Sequence, residues 1–291
     1  IKKKIYFISN FNLIQKQFKK LKYKVNLVKV KNVFEKENDN RLKIIDINLK
    51  FKNPFKISKK SSSKFIINSL NYAHKISLNQ NIAGFINCPI NKNLLNKSKI
   101  GVTEYLALKC NVKNNSEVML IANKKLAVSP ITTHIDLKEV SKKIKKSTII
   151  NKVKTIETWF RNNYNRKPKI CILGLNPHNA ELRKNSEENK IIIPAIKKLK
   201  TKGIKLSGPL AADTVFIKDY NKFDVIIGMF HDQVLAPYKT LFKFDAINIT
   251  LGLKYLRVSP DHGVAINLIG KNKADETSLL NCVNFINKFR K

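Results

Sequence analysis

Short, unbroken apolar runs alternate along this chain with longer lysine-studded stretches whose apolar residues recur three or four positions apart. The first pattern is that of buried strands, the second that of helices with one apolar face. Strands are predicted at residues 5–9, 24–28, 83–88, 118–121, 126–129, 169–173, 225–229 and 246–250. Helices are predicted over residues 12–21, 62–78, 137–163, 187–202 and 276–289. Asp136 stands where it would cap the third of these. In the fourth, Ile191, Ala195, Ile196 and Leu199 share a face, and Gly203 supplies the stop. The segment 56–64, rich in serine and lysine, reads as a loop. Strand–helix alternation predicts an α/β fold with a largely parallel sheet, in which ligands bind beyond the carboxyl ends of strands. No internal repeat and no interdomain linker interrupts the pattern, so two lobes would be interwoven rather than strung end to end.

Composition refines this picture modestly. At 291 residues and 43% hydrophobic, the chain can bury a substantial core. It has no apolar stretch of about 18 residues or more, so no membrane-spanning helix is expected. The start, Ile1-Lys2-Lys3-Lys4-Ile5-Tyr6-Phe7-Ile8-Ser9, places bases before a short apolar run and reads as a strand rather than a signal peptide. Cys88, Cys110, Cys171 and Cys282 are widely spaced, as expected of reduced core thiols in a cytoplasmic protein. The net charge of +37 invites a nucleic-acid reading, but only six of the 57 basic residues are arginine and the lysines run the whole length. An excess of Lys, Asn and Ile is what an AT-rich coding sequence produces, so nucleic acid is not the expected partner. A positive field would instead steer an anionic substrate to its cleft.

Histidine is where the chemistry concentrates. Of five histidines, His134, His178 and His231 each follow a strand-like apolar run. Imidazole is a common ligand for divalent transition metals, and three ligands leave a coordination position open for substrate. His74, on a helical stretch, reads as structural.

Four blocks surround these histidines. Asn87-Cys88-Pro89-Ile90-Asn91-Lys92 is followed by Gly101-Val102-Thr103-Glu104-Tyr105-Leu106-Ala107; next comes Thr132-Thr133-His134. Gly174-Leu175-Asn176-Pro177-His178 leads to Ser207-Gly208-Pro209-Leu210-Ala211-Ala212-Asp213-Thr214. The last runs from His231-Asp232-Gln233 through Lys239, Asn248-Ile249-Thr250-Leu251-Gly252-Leu253 and Arg257 to Ser259-Pro260-Asp261-His262-Gly263. In this order and spacing the blocks resemble the 4-hydroxythreonine-4-phosphate dehydrogenase family of vitamin B6 (pyridoxal phosphate) synthesis, over roughly residues 83 to 285.

The resemblance implies an isocitrate/isopropylmalate dehydrogenase-like α/β fold: one family unit over 1–291, with two interwoven lobes, discontinuous in sequence, and a cleft between them. It implies a homodimer that uses NAD or NADP and a divalent metal (zinc, magnesium or cobalt). The implied reaction is metal-dependent oxidation of 4-phosphooxy-L-threonine, a small phosphorylated amino acid, and decarboxylation to 3-amino-2-oxopropyl phosphate. His134, His178 and His231 match the family's metal ligands, which in that family come from both subunits of the dimer. Thr103, Lys239, Asn248 and Arg257 match substrate-binding positions. Lys239 and Arg257 would supply positive charge for phosphate or carboxylate, Arg257 as a bidentate fork. Asp232, beside a ligand, would orient an imidazole, and Asp232 and Lys239 are the candidate catalytic side chains. No residue is assigned to the dinucleotide, and the chain has no G-x-G-x-x-G fingerprint.

Three departures accompany the resemblance. The family's early Gly-Asp/Glu-Pro turn has no counterpart near Ile1, so the chain is expected to begin at a later element of that fold. Val102 stands where the family has histidine, which removes a donor to an anionic substrate. Asn179-Ala180-Glu181-Leu182-Arg183 replaces a glycine-rich loop. These motivate two alternatives: a dehydrogenase of a related phosphorylated sugar acid (4-phospho-erythronate or threonate), and an inactive basic homologue that acts as a binding module.

Overall fold

A computed structural model describes residues 4–35, 40–95 and 101–289 of the chain. Of the basic start, Ile1, Lys2 and Lys3 lie outside the described residues. Strands β1 (Tyr6–Ser9), β2 (Leu27–Val30) and β3 (Leu42–Asp46) form a small parallel sheet in the order β1-β3-β2. Strands β4 (Phe85–Ile86), β5 (Val118–Ala122), β6 (Ala127–Pro130), β7 (Ile170–Leu173), β8 (Leu206–Leu210), β9 (Val225–Gly228), β10 (Ile247–Leu251) and β11 (Arg257–Pro260) form an eight-stranded sheet in the order β4-β11-β10-β5-β6-β9-β7-β8. The helices are α1 (Phe11–Leu21), α2 (Lys59–Ser77), α3 (Val102–Lys109), α4 (Val140–Lys143), α5 (Lys146–Tyr164), α6 (Ile193–Lys200), α7 (Ala212–Thr214), α8 (His231–Phe242) and α9 (Thr277–Lys288).

The large sheet is mixed, not largely parallel. β6, β9, β7 and β8 run parallel, as do β11 and β4, whereas β11, β10, β5 and β6 alternate in direction. The cause is local. Asn123 accepts from the N–H groups of Lys125 (2.8 Å) and Leu126 (3.0 Å), which closes a tight turn after β5, and a turn that short joins only antiparallel strands.

Both faces of this sheet are covered. On one, Val118, Leu120, Ile227 and Ile249 pack with Ile149 and Ile156 of α5, Ile196 and Leu199 of α6 and Cys282 of α9. On the other, Met119, Ile121, Val128 and Ile226 pack with Val234, Leu235 and Tyr238 of α8. A third cluster joins Leu70 and Ala73 of α2 to Tyr105 and Leu106 of α3. Ile191, Ala195, Ile196 and Leu199 do share the buried face predicted for them, and Gly203 ends that segment with φ +73°. Three cysteines are buried free thiols, with Cys171 and Cys282 pushed by burial up to about 12, but Cys88 is exposed because β4 ends at Ile86. Among the described residues no helix is long and apolar enough to cross a membrane.

Several boundaries differ from expectation. The 56–64 segment is not a loop throughout: α2 starts at Lys59, with the Ser58 side chain accepting from Ser61 N–H at 3.3 Å. The helix predicted over 137–163 breaks at Ile144 and Lys145, both extended, where Ile144 turns into the core at 2% exposure. Asp136 makes no capping hydrogen bond.

Where β7 and β9 begin, Arg166 grips Asp224 through both carboxylate oxygens (2.7 and 2.8 Å), and Lys169 N–H adds a third bond at 2.7 Å. Partial burial resists ionisation of Asp224, but the bonds from Arg166 and Lys169 outweigh it and hold the carboxyl below its usual range. A depressed carboxylate stabilises the fold above the ordinary pKa and loses that contribution as pH falls through its folded value. Asp224→Asn is therefore expected to cost about 1 kcal/mol at neutral pH. In denaturant titrations the gap from wild type should narrow below about pH 4.

Candidate functional site

The register of the large sheet places the turns that carry the three histidines at one edge. β6, β9 and β7 are parallel neighbours, with Pro130 opposite Gly228 and Ile172 opposite Ile227, so their carboxyl ends share one edge. His134 lies in the turn after β6, His178 in the turn after β7, and His231 opens α8 after β9. The rings of His134 and His231 sit 6.0 Å apart between centroids, inclined at 42°. His178 is not brought to that pair. Its side chain is 72% exposed and faces Asp213 (Nε2 to Oδ2, 3.6 Å) and Glu181 (Nδ1 to Oε1, 3.8 Å). Among the described residues of one chain, no three His, Cys, Asp or Glu side chains are grouped to hold a metal.

Each histidine nonetheless has a carboxylate beside its Nδ1. His134 Nδ1 is 3.7 Å from Glu104 Oε1, and His231 Nδ1 is 2.6 Å from Asp232 Oδ1. Asp232 thus lies where an imidazole-orienting residue was expected. At 2.6 Å the Asp232 carboxylate holds a proton on His231 Nδ1 and leaves Nε2 as the lone-pair nitrogen, which is the arrangement that metal-binding histidines use, whereas His178 has a second carboxylate, Asp213, at its Nε2. Glu104 also accepts from Thr133 Oγ1 at 2.9 Å. Burial opposes its charge, but the nearby His134 ring, its own N–H and the Thr133 hydroxyl prevail and lower it to about 2. Its Oε2 is buried without a hydrogen-bond partner. Gly101 permits this approach: a Cβ there would stand 2.6 Å from Glu104 Oε2 and 3.1 Å from the His134 ring.

The first turn of α3 links the histidines to the candidate substrate residues. Thr103 Oγ1 is 3.3 Å from Thr250 Oγ1, which accepts from Arg257 Nη1 at 2.8 Å. Arg257 Nε donates to Asn87 Oδ1 at 2.6 Å. Arg257 is only 3% exposed, and burial lowers it to about 10, so it stays charged at neutral pH with neutral oxygens as these partners. Asn248 lies on the same face, opposite Ser259 as Thr250 is opposite Arg257, and its Oδ1 is buried without a partner. Lys239 stands apart: its ammonium is held by Asp261, 2.8 Å from Oδ2 and 3.0 Å from the backbone carbonyl. Its charge is already compensated, which the sequence did not reveal. Val102 packs its apolar side chain against the α2–α3 cluster. Nδ1 of His262 faces the Gly263 carbonyl at 2.9 Å.

The turn that carries His178 is conformationally unusual. His178, Asn179, Ala180, Glu181 and Leu182 all have positive φ, between 44° and 56°. A left-handed turn of five non-glycine residues costs roughly 1–2 kcal/mol per residue, and such strain clusters at functional sites. Glycine in place of the exposed Leu182 should relieve part of it, raising stability by about 1 kcal/mol in denaturant titrations; an equal loss would contradict that geometry. Ahead of this turn, the Glu188 carboxylate accepts from Leu175 N–H and Asn176 N–H, both at 2.8 Å, and from Asn176 Nδ2 at 3.1 Å. Neither Glu104 nor Glu188 stood out in the sequence. Glu104 had one signal, its place beside Thr103 in a recognised block; Glu188 had none.

Comparison with known proteins bears on the identity of this site. The family model for pyridoxal phosphate biosynthetic protein PdxA matches residues 1–286. A 4-hydroxythreonine-4-phosphate dehydrogenase of Sulfurihydrogenibium sp. (strain YO3AOP1) is 39% identical over 247 residues, 83% of this chain and 74% of that protein. One from Aquifex aeolicus (strain VF5) is 38% identical over 267 residues, 90% of this chain and 82% of that protein. The crystal structure of 4-hydroxythreonine-4-phosphate dehydrogenase from Klebsiella pneumoniae superposes with a TM-score of 0.83 at 25% identity, covering 97% of this chain and 88% of that one. On a match over nearly its full length, the chain belongs to the pyridoxal phosphate biosynthetic protein PdxA family.

Proposed function

We propose that this chain is a metal- and NAD(P)-dependent dehydrogenase that converts 4-phosphooxy-L-threonine to 3-amino-2-oxopropyl phosphate and carbon dioxide. The observation that carries the reading is the continuous row from His231 and His134 through Glu104 and Thr103 to the buried Arg257. It sets candidate metal ligands and a fixed cation at two ends of one helical turn, as a substrate with an alcohol at one end and an anion at the other requires.

Arg257 would hold the phosphate or carboxylate, because a buried guanidinium with neutral partners gains most from an anion. Thr103 and Asn248 would orient the substrate by neutral hydrogen bonds. Lys239 would contribute only by leaving Asp261. His134, His178 and His231 would hold the metal, and the carboxylates beside Nδ1 of His134 and His231 support that fit. A divalent ion there would supply a Lewis acid for the substrate's secondary alcohol and for the ketone that replaces it. In the balanced reaction a bound nicotinamide would supply the acceptor for the hydride of the alcohol carbon, and the alcohol oxygen would lose its proton to solvent. The neighbouring carboxylate then leaves as carbon dioxide, and its bonding electrons pass to an enolate that takes up a proton.

One chain does not assemble the three histidines, so a second copy is proposed to complete the set. The exposed apolar side chains Leu137 and Leu182 follow two of the histidines within four residues and support a covered face there. Incubation of the purified protein with 4-phosphooxy-L-threonine and NAD or NADP is expected to produce reduced nicotinamide. A chelator should abolish the signal and zinc, magnesium or cobalt restore it. Turnover indifferent to chelation would refute the metal. The apolar Val102 favours a second reading, in which a phosphorylated sugar acid is preferred; a side-by-side substrate panel separates the two.

A further inference from the structure

A chain of hydrogen bonds through the backbone of one residue, Met229, ties together the turns that carry the three histidines. Thr132 donates to the Met229 carbonyl from both its N–H (3.2 Å) and its hydroxyl (2.7 Å). Met229 N–H donates to Gln233 Oε1 at 2.7 Å. Gln233 Nε2 then donates to the Gly174 carbonyl at 2.7 Å. The end of β6 is thereby tied to the end of β9, and the end of β9 to the end of β7. A single side chain in the first turn of α8 makes the second connection.

The position of this carboxamide is restricted. The paired register of β7 and β9 runs only from Ile170 opposite Val225 to Ile172 opposite Ile227, and beyond it each chain leaves for its own turn. The ladder therefore stops controlling their separation just before the histidines, and the Gln233 side chain takes over. Gly228 makes room for it: a Cβ there would lie 2.8 Å from Gln233 Oε1 and 2.6 Å from Val234 Cγ1. A carboxamide offers a donor and an acceptor on one rigid plane, which neither a carboxylate nor a hydrocarbon can match. A local cap for the β9–α8 turn would need only the acceptor. The donor half is spent on a different strand, and that strand leads to His178.

We propose that Gln233 is a positioning residue that sets the spacing between the His178 turn and the turns of His134 and His231, and through it the affinity and geometry of the metal site. This rests on the reading of those histidines as metal ligands. Gln233 touches no ligand itself and acts through backbone. Arg166 and Asp224 supply a natural control, because they tie the same two strands at their opposite ends.

The test is a Co²⁺ titration of metal-free protein, read by visible ligand-field absorption well below each variant's melting temperature. Wild type is expected to develop ligand-field bands. Gln233→Leu, which keeps the volume and loses both bonds, should bind Co²⁺ at least about tenfold more weakly with altered band intensity. Gln233→Glu keeps the acceptor for Met229 N–H and loses the donor, so it secures a folded variant and should weaken binding likewise. Arg166→Ala should melt earlier yet titrate as wild type does. If both Gln233 variants titrate as wild type does, the positioning role is overturned and the metal reading stands. If Arg166→Ala weakens Co²⁺ as much as they do, the effect is general loosening and the role is again overturned. Absence of ligand-field bands in wild type would overturn the metal reading and this inference together.

Discussion

Replacing His231 with alanine is expected to lower metal-dependent turnover by on the order of 10³-fold or more while leaving the fold intact. A lost Lewis acid at the reacting oxygen removes several kcal/mol of transition-state stabilisation, and each 1.4 kcal/mol or so is a factor of about ten. The fold should tolerate the change. His231 is the first residue of α8, its side chain is 36% exposed, and its hydrogen-bond contact is with the neighbouring Asp232. Alanine is a good helix residue there, so stability should shift by less than about 1 kcal/mol. His74→Ala supplies the contrast. Its ring contacts the Tyr255 hydroxyl at 2.9 Å inside the α2–α3 cluster, away from the histidine turns, so it should lose stability and keep its metal. Metal analysis alongside turnover separates the two, and a His231→Ala protein that retains both metal and activity would remove this residue from the site.

The second large effect belongs to Glu188. Its side chain is fully buried, and its carboxylate gathers the Leu175 and Asn176 N–H groups and the Asn176 carboxamide. Burial opposes its ionisation, yet the bonds from Asn176, its own N–H and Leu175 outweigh that and hold the carboxyl below its usual range. Glu188→Ala would leave two turn N–H groups without acceptors in a dry setting, at a cost of about 3 kcal/mol. Because the folded pKa is depressed, the stabilisation is complete above the ordinary carboxylate range and fades as pH falls through the lower folded value. Glu188→Gln keeps a carbonyl oxygen for one or both N–H groups and should recover more than half of the loss. Chemical denaturation near neutral pH measures all three proteins. An alanine variant within about 0.5 kcal/mol of wild type would mean that Glu188 does not hold the turn ahead of His178.

What could be read ahead of the structure, and what could not, follows from whether a feature is local. β5, β7 and β9 are unbroken apolar runs, and β6 and β10 are apolar at enough positions to be announced by their pattern. β3 passed unnoticed because Lys43 interrupts its run, although that lysine is only 7% exposed in the fold. β8 contains Gly208 and Pro209, tolerable because it lies at the sheet edge, and β11 holds Arg257; both read as motifs rather than strands. Strand direction was out of reach because it hangs on the Asn123 turn. The histidines were legible because each follows a buried strand, and the resemblance named Thr103, Asn248 and Arg257. Their partners were not, because Glu104 meets His134, Gln233 meets Gly174 and Asp261 meets Lys239 only once the chain is folded.

Mixing two inactive variants tests the central claim, that the three histidines form one catalytic metal site completed by a second copy. His178→Ala and His231→Ala chains would be combined, dissociated and reassembled together, then assayed with metal, nicotinamide and substrate. If a site draws His178 and His231 from different subunits, every hybrid dimer regains one intact site. Random pairing then restores about a quarter of wild-type activity. A mixture as inactive as either variant alone would contradict the shared site.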